Sequence, residues 1–148
     1  MNFTTFKTKL ETLLKSIAIT APVAAQIKNA HLGALPNALS LPTARWDLTD
    51  NQRQIGFGSR DQRYSVNIQV LISEMGAEDQ HSSLKAFNFW SAAKDKFDAD
   101  ITIGGTVSLS VLQGGVPTVP VIIEHGGKAY IGFTAVLDIQ DVEDFTFG

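Results

Sequence analysis

Cysteine is absent from the 148 residues, which excludes disulfides and thiolate metal sites and leaves redox chemistry silent about the compartment. Catalytic signatures are missing as well. Ser108 and Ser110 lie in no G-x-S-x-G elbow, and the glycine pairs of TIGGTV and LQGGVP belong to neither a Walker-type phosphate loop nor a G-x-G-x-x-G unit. His31, His81 and His125 fall on an expected loop, helix start and turn, with no i, i+4 pair, so no metal or cofactor is expected. Asp98 and Asp100 bracket Ala99, but no further oxygen donor accompanies them, and they read as solvated carboxylates at a helix end. Lys and Arg number 12 against 15 Asp and Glu, too few for a nucleic-acid groove.

The N-terminal stretch MNFTTFKTKLETLLKS threads charges through its apolar positions and has no seven-residue greasy run. It is therefore neither a secretory signal nor a membrane span, and synthesis in the cytoplasm is expected. What is present is an ordinary globular composition, 44% apolar and 18% charged. A chain of this length suits one domain spanning residues 1–148.

Charge is unevenly placed. Residues 1–73 hold eight Lys/Arg and four Asp/Glu, giving +4; residues 74–148 hold four and eleven, giving −7. All four arginines, Arg45, Arg53, Arg60 and Arg63, lie in one central stretch, whereas Asp138, Asp141, Glu143 and Asp144 make the C-terminal segment acidic. Such a distribution is either solvated surface or a self-complementary subunit whose basic loop meets a neighbour's acidic rim.

Phe3, Phe6, Leu10, Leu13, Leu14 and Ile17 recur at helical spacing and predict an amphipathic helix that ends before Ala21-Pro22. Residues 23–29 fit a short strand or a helical turn. Alternation predicts an edge or outer strand over Thr43–Leu48 and a central strand over Tyr64–Ser73. Between them, DNQRQIGFGSR is polar and without period, so an exposed loop or a flexible hairpin tip over about 50–62 is expected. A second helix is expected from about Gln80 to Phe97, capped by Asp79, with Leu84, Phe87, Trp90 and Ala93 or Phe97 facing the sheet. Phe89 is left over as a possible contact to another chain. Gly104 and Gly105 permit a turn into a strand over Thr106–Leu112, and Gly126 and Gly127 a two-residue hairpin between Val119–Glu124 and Lys128–Ile139. Pro117 and Pro120 place the first of these two strands at an edge. An acidic tail over about 140–148 closes the chain. The expected fold is α+β, a mostly antiparallel or mixed twisted sheet packed by an N-terminal and a central helix.

This order of elements, with RYSVNIQVLIS, TIGGTV and GGKAYIGFTAVLDI in place, resembles the tail terminator (tail-completion) proteins of long-tailed bacteriophages across most of the chain. Thr102–Val107 resembles that family's helix-to-strand turn, and Gly126–Ile139 its final hairpin, with Tyr130 and Gly132 in matching places. The chain departs from the family in its bulky Trp90, its longer stretch 21–41 and the two prolines of VPTVPVII. The resemblance implies a homo-hexameric ring that caps the tail tube protein, stops its polymerisation and meets the head–tail connector or stopper. DNA would be only passing cargo in the lumen, no membrane would be involved, and the site would be the virion tail.

On that reading the contacts to other subunits or the tube fall on Arg53, Phe57, Arg60, Arg63, Asp141, Glu143, Asp144, Phe145 and Phe147. Aromatics in polar segments gain burial from a partner. The alternatives are another phage neck, connector or minor tail protein, or a small-ligand binding module whose cavity is lined by Phe87, Trp90 and Phe133. An enzyme would require Asp98, Asp100 and His125 to converge on a cleft.

Overall fold

The computed structural model describes residues 1–56, 59–76 and 82–144, and side chains at all of these except 52–56, 59–60 and 143–144. The first helix, α1, runs Phe3–Lys15. Asn2 caps it, its Oδ1 accepting from the Thr5 N–H at 3.1 Å, and Lys7 pairs with Glu11 one turn on at 2.6 Å. Its inner face, Phe6, Leu10 and Leu14, is buried. Each such side chain contributes roughly 1.5–3 kcal/mol of burial.

The strands β1 (Ala18–Ile19) and β2 (Ala25–Gln26) form a small antiparallel ribbon. They are followed by β3 (Asn29–Leu32), β4 (Thr43–Gly56), β5 (Ser59–Glu74), helix α2 (Ser82–Ala99), β6 (Leu109–Gly114), β7 (Val121–His125) and β8 (Lys128–Asp144). The main sheet has the order β3-β4-β5-β8-β6, with β7 also on β8. Among the described strands only β3 and β4 run parallel; the other pairings are antiparallel. The fold is α+β with a mixed sheet, as expected.

Both helices cover one face of the sheet. Val66, Ile68 and Val70 of β5 meet Phe133, Ala135, Leu137 and Ile139 of β8 there, under Phe6, Leu10, Phe89 and Phe97. Phe6 stands edge-on to Trp46 and Trp90 packs on Phe133, both rings tying a helix to the sheet. A smaller cluster, Leu35, Leu71, Ile123 and Tyr130, lies apart from this core, packed with Leu39 and Leu41 of the segment 33–42. His125 fastens that segment through Nε2 to the Pro36 carbonyl at 2.8 Å.

Four expectations are corrected. The region 50–62 is not an exposed loop but the end of a hairpin: β4 continues to Gly56 and β5 begins at Ser59, paired except for a register shift between Asp50 and Gln52. The acidic segment is not a tail as far as Asp144, because β8 reaches it and pairs Asp144 with Ser59. On α2 the buried residues are Ala86, Phe89, Ala93 and Phe97, while Leu84 and Phe87 are half-exposed, so Phe89 is core and Phe87 faces outward. His31 sits on β3, opposite Arg45, rather than in a loop. The proposed cap Asp79 and His81 lie outside the described residues.

The two glycine turns are as expected. Gly126 and Gly127 both have positive φ, +60° and +78°, which the tight turn between β7 and β8 demands. Gly104 and Gly105, φ +64° and +79°, turn the chain after α2, and the Asp100 carboxylate accepts from the Gly104 N–H at 3.0 Å.

Candidate functional site

Beyond the last core residues, Leu48, Tyr64 and Ile139, the strands β4, β5 and β8 run on together as a three-stranded arm. Its register sets Gln52, Arg53 and Gly56 opposite Arg63, Gln62 and Ser59, and sets Arg60, Gln62 and Arg63 opposite Glu143, Asp141 and Gln140. The basic and acidic segments are therefore strand neighbours within one subunit. Arg53, Arg60, Glu143 and Asp144 are placed on the arm by their backbone; Phe57, Phe145 and Phe147 lie outside the described residues.

Asp141 points inward. It is 8% exposed, its Oδ2 lies 3.0 Å from the Met1 amine, and Ser108 Oγ donates to Oδ1 at 3.5 Å. Ser108 Oγ in turn accepts from the Val142 N–H at 3.0 Å, which holds the root of the arm to the turn before β6. Arg63 is instead half-exposed, with Nη2 3.2 Å from Asp61 Oδ2. With Asn51, Leu109, Val111, Asp138 and Gln140 it lines a shallow depression of about 220 Å³ on the face that the helices leave open.

That open face is polar and cross-linked by side chains. Asn67 donates to Asp47 at 3.2 Å, Asn51 to Ser65, and Gln140 to Asp61 at 3.3 Å. Charges of both signs, Arg45, Asp47, Arg63 and Asp138, lie along the strands that build it. Such a surface offers hydrogen bonds and exposed Leu109 and Val111 to a flat partner rather than an enclosing cavity to a small molecule.

A second surface was not foreseen. Phe3, Phe6, Leu32, Trp46 and Leu48 line an apolar groove of about 200 Å³ between α1 and the outer edge of β4, where β3 stops. Phe3 and Leu32 are each 51% exposed. Trp46 is 2% exposed, yet its indole N–H has no acceptor among the described residues. Phe3 was assigned to the buried stripe of α1 by its spacing. The signal that could have found the groove is Leu32, an apolar residue in a stretch with no period.

The catalytic alternative gains no geometry. Asp100 serves the Gly104 turn, His125 the Pro36 carbonyl, and no cluster of three His, Asp or Glu side chains capable of holding a metal occurs among the described residues. The lining imagined for a ligand cavity is divided: Trp90 and Phe133 are in ring contact, with Lys94 over the indole at 5.5 Å, whereas Phe87 faces outward. No helix among the described residues is long and apolar enough to cross a membrane. No family model matches the chain, and no curated protein matches it in sequence.

Proposed function

We propose that the protein is a structural assembly subunit resembling a phage tail terminator, which forms a homo-hexameric ring that caps the tail tube, stops its polymerisation and joins the tail to the head connector. The observation that carries this reading is the arm: three strands extended together past the core, with an uncovered polar face beside them. A surface of this shape acts by complementarity with flat partners and suits heterologous contacts that close into a ring. The succession of N-terminal helix, long strand, second helix and final hairpin also supports the resemblance, with paired strands where a charged loop was expected. Its partners are further copies of itself, the tail tube protein and the connector, with DNA passing through the ring, and its place is the tail of the virion at the head–tail junction.

Light scattering coupled to size exclusion, with and without the tail tube protein, tests this. A ring-sized mass, or one that forms only on tube ends, is expected. A monomer indifferent to tube ends would refute the reading.

A further inference from the structure

We propose that the groove between α1 and β4 receives the segment Phe145-Thr146-Phe147 of a second copy of this chain, laid along the free edge of β4. The groove is prepared for an extended peptide in three ways. Gly33 donates its N–H to the Trp46 carbonyl at 2.8 Å, the last bond that the β3 side gives β4. Alternate residues of a strand turn their amides to the same edge, so Leu48 presents its N–H and C=O there with no strand beside them among the described residues. Trp46 and Leu48 share one face of β4, and Phe3 and Leu32 widen that face into an apolar slot. Trp46, which lines the slot, keeps a buried indole N–H with no acceptor among the described residues.

The segment Asp144-Phe145-Thr146-Phe147 has the matching pattern. Extended, it sets both phenylalanines on one side, in step with Trp46 and Leu48.

Reach assigns the segment to another copy. Asp144 pairs with Ser59, whereas Leu48 pairs with Val66, seven residues farther along β5. That separation is roughly 23 Å along the strand direction. Phe147 lies three residues beyond Asp144 and so extends at most about 11 Å from it. A subunit's own phenylalanines fall short of its own groove, and a neighbour's do not. The contact is then heterologous, groove to tail, and it deepens the assembly reading by resting on its self-association alone.

The absence of native cysteine makes the test clean. Leu32→Cys and Phe147→Cys subunits, purified separately and mixed under mild oxidation, are expected to form a mixed disulfide dimer about tenfold faster than Leu32→Cys mixed with Ile122→Cys, whose residue is exposed on β7. In parallel, the full chain carrying Phe145→Ser and Phe147→Ser is expected to need about tenfold more protein for half-assembly, with its circular dichroism unchanged. A wild-type chain that assembles while the first pair shows no excess over the control overturns this contact and leaves the assembly reading standing. Closure of a Leu32→Cys, Phe147→Cys double variant into an intrachain disulfide on dilution overturns the assignment to a second copy. A wild-type chain that is monomeric at every concentration overturns both.

Discussion

The two faces of the central sheet are made by the same strands and obey different rules. On β5, Val66, Ile68 and Val70 are fully or nearly fully buried under two helices, while Asn67 is exposed and Ser65 and Gln69 are partly so. The covered face is held by apolar burial and ring packing, the open face by cross-strand bonds between amides, hydroxyls and carboxylates. Stability is concentrated on the first and, outside the small Leu71 cluster under the segment 33–42, is nearly indifferent to side-chain identity on the second. The open face is thereby free to be shaped by what it meets.

The largest break in that contrast is expected at Gly132. A Cβ there would overlap the Val70 carbonyl oxygen, beside the bulge between Leu71 and Ser73. Backbone cannot yield as a flexible side chain does, so Gly132→Ala should cost about 5 kcal/mol or leave the chain unfolded, read by urea titration of circular dichroism. Phe133→Ala, on the covered face, should cost about 3–5 kcal/mol by the same titration. Leu35→Ala should cost less, about 1–2 kcal/mol, because its cluster is small and the segment 33–42 can settle into the space. Arg63→Glu, on the open face, should leave the unfolding free energy from urea titration within about 0.5 kcal/mol of wild type, yet change the mass seen by light scattering. An unchanged mass would remove Arg63 from the contacts. If Phe133→Ala and Arg63→Glu proved equally costly in urea, the division of labour between the faces would be wrong.

Much of the covered face was legible because its signal is local: alternation over Tyr64–Ser73 and Ala129–Ile139, helical spacing in α1, and paired glycines at the turns. The arm was not, and the reason is physical. No period-two pattern marks DNQRQIG, and among the described residues the main core cluster reaches no farther than Leu48, Tyr64 and Ile139; these are strands because β5 is paired on both sides. The register of α2 misled for a different reason. Spacing drew attention to the large Leu84 and Phe87, but Ala86 and Ala93 lie on the buried side, where small side chains allow a helix close approach. The open face and the groove lie further still from what sequence shows, since both depend on where β3 stops and on which edge is left bare.

The position of β8 also has a consequence for biosynthesis. Among the strands it comes last in the chain, yet it lies inside the sheet, bonded along one side to β5 and along the other to β6 and β7 in turn. While the ribosome is still short of residue 144, β5 has one neighbour instead of two, and β6 and β7 have none. A nascent or prematurely terminated chain thus lacks the strand that joins its halves, and it should be cleared by proteases rather than fold. The order of translation would thereby act as an inspection step, withholding the folded sheet until residues 128–144 have been made.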